Sequence, residues 1–173
     1  MNVHLPSPLS QPEQYWNELT DLKVNAAYIH LYRDSLGRWV TGLGTLKAVT
    51  SGAGIAAWVI WREFAFVWGA MIAASQLADA LKDVFPFAKK HKSASEYSTK
   101  LDNLFIDVQL EWENISSGRY SPVETMNRLH QLRKMLKEVE QRSFPDGLAS
   151  RPALLAQAKQ EAEAYLTSTY GIK

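Results

Sequence analysis

The sequence has no cysteine, which excludes a disulfide, a thiolate zinc site and a cysteine nucleophile. It also has little excess charge of either sign, because 19 basic residues stand against 18 acidic ones and the net charge is +1. A protein that binds nucleic acid directly usually has a clear basic excess, so we do not expect direct nucleic-acid binding. The alternation of apolar and polar residues that is typical of a β-strand does not occur in the chain.

Catalytic signatures are missing as well. The sequence has no nucleophile-elbow motif, no Walker-type phosphate loop and no dinucleotide fingerprint. None of its four histidines has the spacing of a metal ligand with another histidine or with a carboxylate. Paired carboxylates such as Asp102 and Asp107, or Glu111 and Glu113, are typical of a solvated helix face. We therefore expect a protein that is not an enzyme and that holds no metal and no cofactor.

Helical periodicity dominates the chain, and it predicts an all-α fold. The capping box Ser10-x-x-Glu13 predicts a helix that starts near Ser10, and no strong breaker follows before Gly44. A second box, Ser121 to Glu124, starts a later helix. Another helix lies between these two and ends at Gly118, and a last one runs from near Ser150 to Gly171. The apolar positions of the first three patterns are Trp16, Leu19, Leu22, Ala26, Ile29, Leu36 and Trp39; Tyr97, Leu101, Leu104, Val108, Trp112 and Ile115; and Val123, Met126, Leu129, Leu132, Leu136 and Val139.

The least polar part of the chain is residues 44–81. It contains two uncharged runs of 14 and 15 residues on either side of Arg62 and Glu63, whereas a helix that crosses a bilayer needs about 20 apolar residues. If Lys47 and Asp79 are tolerated, the two windows grow to 23 and 18 residues. The shorter window then covers about 27 Å, close to the hydrocarbon thickness.

Small residues recur at every fourth position in this stretch. Such ridges let helix backbones approach closely in lipid, where hydrophobic burial no longer drives association. Tightly packed helix pairs in water use the same ridges, so the pattern favours a membrane hairpin and leaves a buried hairpin as the alternative. The predicted helix-packing residues are Gly44, Ala48, Gly52, Ala56, Ala65, Gly69 and Ala73.

The charged residues in this stretch suggest how the hairpin folds. If the chain reverses at Arg62 and Glu63, Lys47 lies beside Asp79, and the two can pair, which lowers the cost of placing them in lipid. Alternatively, both lie at an interface and never meet. One continuous helix through Arg62 is a further alternative, because no glycine or proline marks the reversal. The predicted polar stripe consists of Lys47, Thr50, Ser51, Ser75, Gln76 and Asp79.

The distribution of basic residues predicts the topology. They lie near the ends of the hairpin, whereas the reversal carries only Arg62, so the positive-inside rule places both termini in the cytoplasm. The basic cluster is interpreted as a topology signal, with the binding of anionic headgroups or of a nucleotide phosphate as the alternative. Its members are Lys89, Lys90, His91 and Lys92. The predicted organisation is a loose arm (1–9), an N-terminal amphipathic helix (10–39), a two-helix transmembrane hairpin (40–83) and a cytoplasmic helical bundle (84–173).

The order of these parts resembles SLATT domains, which are two-transmembrane effectors associated with bacterial nucleotide-signalling and other conflict systems. After the hairpin, that family typically has a basic residue, a Lys/Arg-His pair, small residues, a tyrosine and an amphipathic helix. The likeness covers residues 26–115, although this hairpin is more polar and richer in glycine than is usual in the family. The matching residues, in order, are Lys90, His91, Ala94, Tyr97 and Leu101.

The resemblance implies an effector of a bacterial antiphage or abortive-infection system, located in the inner membrane. A sensor or regulatory protein encoded nearby would supply the signal, and a nucleotide second messenger is one candidate for it. The effector would then oligomerise and permeabilise the membrane, so membrane lipid and further copies of the chain are the expected partners. The alternative function is a soluble, cytoplasmic all-α adaptor or interaction protein whose central hairpin is buried.

Overall fold

The computed structural model describes residues 9–48, 65–81 and 86–171 of the chain. Within these ranges the protein forms α-helices and no β-strand, so the all-α prediction is confirmed. The described helices are α1 (Gln11–Ala48), α2 (Ala65–Leu81), α3 (Phe87–Ser116), α4 (Pro122–Ser143) and α5 (Pro152–Tyr170).

The chain divides into two compact units. Unit 1 comprises Met1–Leu31 and Ala94–Lys173, and unit 2 comprises Tyr32–Ser93. Helices α1 and α3 each contribute residues to both units, whereas α2 belongs to unit 2 alone.

Capping boxes start two of the helices where the sequence predicts them. The Ser10 amide donates to Glu13 Oε2 at 2.8 Å, and the Glu13 amide donates to Ser10 Oγ at 3.4 Å. At α4, Ser121 and Glu124 make the same two bonds at 2.8 and 3.3 Å. Hydrogen bonds from the backbone and hydroxyl of Ser10 lower the pKa of the Glu13 carboxyl group. These reciprocal bonds satisfy amides that would otherwise lack a partner in the first turn.

A glycine ends α3, as the sequence predicts. Gly118 has a φ of +72°, and its amide donates to the Ile115 carbonyl at 3.0 Å. The next amide, that of Arg119, donates to the Asn114 carbonyl, also at 3.0 Å. This pair of bonds is a Schellman motif, which needs a left-handed residue that glycine adopts without a steric penalty.

Unit 1 has its own hydrophobic core. All four of its helices contribute side chains that are at most 1% exposed, and these belong to Tyr15, Leu19, Leu22, Ile29, Ala94, Leu101, Leu129, Leu132, Ala158 and Ala162. Helices α1 and α3 run antiparallel in this unit: the Tyr15 ring stacks on Trp112 with centroids 6.5 Å apart, and further along α1 the His30 imidazole bonds to Asp102. The periodic apolar residues of these helices therefore form the contact surface that the sequence indicates.

The predicted face of α4 is partly wrong. Leu129 and Leu132 are buried as expected, but Val123 is 70% exposed and Met126 is 41% exposed. Thr125 is 2% exposed and takes their place. The buried stripe passes through Thr125, Leu129 and Leu132, which are four and three residues apart, and Val123 and Met126 lie to one side of it.

Aromatic residues account for the other differences from the predicted faces. Trp39 was expected on the buried side of the first helix, but it is 57% exposed, whereas Tyr15 and Tyr28 are buried and were not predicted. The Tyr28 hydroxyl donates to the Ala149 carbonyl at 2.7 Å and accepts from the Arg151 amide at 3.1 Å. A buried tyrosine needs such polar partners, which lie far away in sequence and cannot be seen in the local pattern.

Candidate functional site

The residues that the sequence singles out belong to unit 2, which contains the end of α1, the whole of α2 and the start of α3. Part of the predicted site lies outside the described residues. This holds for Gly52 and Ala56 of the first ridge, for Thr50 and Ser51 of the polar stripe, and for the predicted reversal at Arg62.

Two contacts fix the register of the described helices in unit 2. Lys47 Nζ donates to Asp79 Oδ1 at 2.9 Å, and the Trp39 and Phe87 rings stack with centroids 6.0 Å apart and an interplanar angle of 15°. Trp39 precedes Lys47 on α1 by as many residues as Phe87 follows Asp79 in the sequence. The end of α1 therefore runs antiparallel to α2 and to the start of α3.

The Lys47–Asp79 contact decides one of the alternatives that the sequence leaves open. The two side chains meet, as the pairing alternative predicts. They remain 61% and 48% exposed, and an exposed ion pair stabilises a fold in water by only about 0–1 kcal/mol. Its main effect is that each charge is neutralised beside the apolar helix α2.

Helix α2 exposes most of its apolar side chains. The exposed fraction is 88% for Phe66, 60% for Leu77, 49% for Val67 and 45% for Ile72. None of the α2 side chains whose placement is described is buried. Phe66 and Leu77 share one side of the helix, whereas Val67 and Ile72 point to two other sides, so no rotation of the helix about its axis would hide all four. A helix that is apolar on all sides is normally surrounded by protein or by lipid.

The small-residue ridges have open space beside them. A Cβ atom added at Gly44 on α1 or at Gly69 on α2 would meet no described atom within 4 Å. Ala73, one turn after Gly69, is exposed, and both lie on the side of α2 that carries Phe66 and Leu77. None of the described helices packs closely on Gly69 and Ala73.

The basic cluster occupies the first turns of α3. Lys89, Lys90 and Lys92 are exposed, while His91 is half-buried against α1. A Cβ atom at Gly37 would lie 3.2 Å from His91 Nε2, so the glycine allows the two helices to approach closely at this level. The next residue of α1, Arg38, is exposed.

Unit 1 contains polar features that the sequence analysis missed. His30 Nε2 lies 2.9 Å from Asp102 Oδ2, although Asp102 was assigned to a solvated face. Helices α1 and α5 border an open groove of about 390 Å³, and Thr20, whose hydroxyl is buried without a hydrogen-bond partner among the described residues, is part of its wall. The partners of these side chains lie far away in sequence, so no local signal could reveal them. Other residues along the groove are Trp16, Asp21, Val24, Lys159, Glu163 and Leu166.

Two buried tyrosines have raised pKa values. Burial raises the pKa of Tyr97 to about 12. Burial also raises the pKa of Tyr15, and the charge of Glu111 adds to the effect. Both phenols therefore stay neutral at physiological pH and act as packing groups. In residues 9–48, 65–81 and 86–171, no three histidine or acidic side chains come together in a way that could hold a metal ion.

None of the described helices is both long and apolar enough to cross a bilayer. No known protein family, curated protein or solved structure matches the chain. The resemblance to SLATT domains therefore stays a prediction.

The register of unit 2 can be tested by chemical cross-linking. Because the chain has no cysteine, we expect the double variant Lys47→Cys/Asp79→Cys to be bridged rapidly by a short bis-maleimide reagent. The matched control is Lys47→Cys/Phe66→Cys, since Phe66 lies about 20 Å from Asp79 along α2. Bridging is measured by mass spectrometry of the monomer. Equal bridging of the two pairs would contradict the antiparallel register.

Proposed function

We propose that the protein is a membrane effector that inserts α2 into a bilayer as part of a transmembrane hairpin. Several copies then oligomerise and permeabilise a bacterial inner membrane. The observation that carries the proposal is the exposure of large apolar side chains on α2, above all Phe66 at 88% and Leu77 at 60%. Moving apolar surface out of water is favourable by about 25 cal/mol per Å², and a bilayer covers every side of a helix at once.

Helix α2 is too short to cross an unperturbed bilayer, so the proposal requires that the bilayer thins around it. Its 17 residues rise about 26 Å, and the hydrocarbon core is about 30 Å thick. Local thinning of the bilayer and the snorkelling of flanking side chains accommodate a helix that is a few Å short. The bond between Lys47 and Asp79 lowers the cost of bringing both charges to the lipid, because paired charges are tolerated better than single ones.

The resemblance to SLATT domains supplies the biological setting of the proposal. Both termini, and with them unit 1, lie in the cytoplasm, where a sensor or regulatory protein encoded nearby contacts the effector. A nucleotide second messenger is one candidate for the signal. Release or activation by that partner starts insertion, and loss of the membrane barrier stops the growth of an infected cell.

The position of the small-residue ridge supports self-association. Gly69 and Ala73 lie on the outward side of α2, where no described atom comes within 4 Å of a Cβ placed at Gly69. In lipid, small residues four positions apart allow the backbones of two helices to touch, and dispersion contacts then hold them together. We infer that copies of the protein associate through this ridge.

The groove of unit 1 favours a second candidate function, that of a helical adaptor. Trp16, Val24 and Leu166 give it an apolar floor, and Asp21 and Glu163 give it a charged edge. Such a surface suits an amphipathic helix of a partner protein. In this case another protein, and not lipid, covers α2.

We predict that one substitution on α2 weakens membrane binding strongly. Ile72→Asp places a carboxylate at the centre of the inserted helix at a cost of about 3 kcal/mol, so the partition coefficient into liposomes should fall by as much as about 100-fold. Leu110→Asp is the matched control, since Leu110 is 62% exposed on α3. Flotation with liposomes measures binding, and a potential-sensitive dye in expressing bacteria measures permeabilisation. If the parent protein stays off the liposomes and the membrane potential holds, the adaptor function is favoured.

We predict that Gly69→Leu abolishes permeabilisation while membrane binding persists. The added Cβ meets no described atom within 4 Å, and leucine favours a helix over glycine by up to about 1 kcal/mol. It nevertheless keeps two α2 helices apart. Gly42→Leu is the matched control, because Gly42 also has open space beside it but lies off the ridge. Cross-linking in membranes and the dye response give the readout, and unchanged oligomers in the Gly69→Leu variant would contradict the ridge contact.

A further inference from the structure

We propose that one level of unit 2 binds the headgroups of anionic phospholipids. We call this level the basic collar, and it consists of Arg38, Trp39, Phe87, Lys89 and Lys90. The inference rests on the proposed function, because the collar meets headgroups only where α2 reaches a bilayer. It goes further by naming the lipid class and the side chains that recognise it.

The register of the helices brings the collar together. Trp39 on α1 and Phe87 on α3 stack with centroids 6.0 Å apart, which places these two helices side by side at this level. Arg38 is the neighbour of Trp39, and Lys89 and Lys90 follow Phe87 within one turn of helix. His91 then packs against Gly37. Three cationic residues from two helices thus lie within one helical turn of an aromatic pair.

The positive charge of the collar is not neutralised within the described part of unit 2. That part contains only two acidic residues, and each already has a basic partner: Asp34 bonds to Arg33 at 3.0 Å, and Asp79 bonds to Lys47 at 2.9 Å. Arg38, Lys89 and Lys90 are exposed and form no ion pair with any described residue. Among the described residues, the collar is therefore a surface whose positive charge has no ion-pair partner, and such a surface is complementary to anions.

The position of the collar relative to α2 matches the layers of a bilayer. The Lys47–Asp79 bond lies between the collar and most of α2 along the helix axes. The collar is about 12 Å from the bond on one side, and α2 extends from the bond on the other side. If that bond lies at the edge of the hydrocarbon, the collar lies just outside the headgroup layer, which is about 5–8 Å thick on each side. Long basic side chains reach back from this level into the headgroups. Lys and Arg near an anionic surface each strengthen binding by about fivefold.

The form of the collar distinguishes a lipid surface from a soluble phosphate. Its cationic groups stand on the exposed sides of two helices and do not converge on an enclosed pocket. Headgroups of a bilayer can meet all of them at once, whereas a single free phosphate cannot. A lipid surface also supplies the apolar layer that α2 needs.

The test is the partition of the full-length protein onto vesicles of phosphatidylcholine alone and of phosphatidylcholine mixed with phosphatidylglycerol. We expect the parent protein to prefer the anionic vesicles. The variant Lys89→Gln/Lys90→Gln should lose about 25-fold of its affinity for them and keep its affinity for neutral vesicles. Lys134→Gln/Lys137→Gln is the matched control, because it removes the same charge from exposed positions of α4 and should bind as the parent does.

Each outcome bears on the inference. Equal binding of the parent to both kinds of vesicle would overturn the assignment of the collar to anionic lipid, and the proposed membrane function would stand. The same conclusion would follow if the control pair lost as much affinity as the collar pair. If the parent binds neither kind of vesicle, both are overturned. Displacement from anionic vesicles by ATP, at a concentration where sodium chloride of equal ionic strength has no effect, would show that the basic collar binds a soluble phosphate. That result would overturn the lipid assignment.

Discussion

Antiparallel packing along α1 is the interaction on which both units of the protein depend. In unit 1, Leu19, Leu22 and Ile29 of this helix are completely buried, and α3 runs in the opposite direction beside it. In unit 2, the later part of the same helix pairs Trp39 with Phe87 and Lys47 with Asp79. A helix of 38 residues is about 57 Å long, so it presents a long series of positions along which other helices can align.

The two units use α1 in different ways. Unit 1 buries apolar side chains from four helices, and this hydrophobic burial is the main contribution that favours its folding. In the described part of unit 2, only Tyr32 and Leu36 are buried hydrophobic residues, and the apolar surface of α2 remains in contact with solvent. This imbalance leads to the proposal that α2 is covered by something outside the chain. The positive charge of the basic collar has no ion-pair partner among the described residues and lies beside an aromatic pair, which favours an anionic membrane as that cover.

Local signals in the sequence predict helix boundaries well, because caps act over a few residues. Ser10 with Glu13, Ser121 with Glu124, and Gly118 each mark an end that the structure confirms. The pairing of Lys47 with Asp79 could be foreseen as well. The two residues are almost equally far in sequence from the predicted reversal at Arg62, so a hairpin brings them side by side. Long-range contacts could not be foreseen. Nothing near His30 in the sequence indicates Asp102 as its partner, and nothing near Tyr28 indicates the Ala149 carbonyl.

The central claim is that α2 enters the hydrocarbon core of a bilayer, and the depth of its side chains tests this most directly. Because the chain has no cysteine, single cysteines at Phe66 and Ile72 can carry an environment-sensitive fluorophore, with one at Ile106 of unit 1 as the control. On anionic vesicles, the account predicts blue-shifted emission at the two α2 positions and quenching by lipids spin-labelled in their acyl chains, with neither effect at Ile106. Emission from α2 that stays unshifted and is quenched by aqueous iodide as strongly as that from Ile106 would contradict the account.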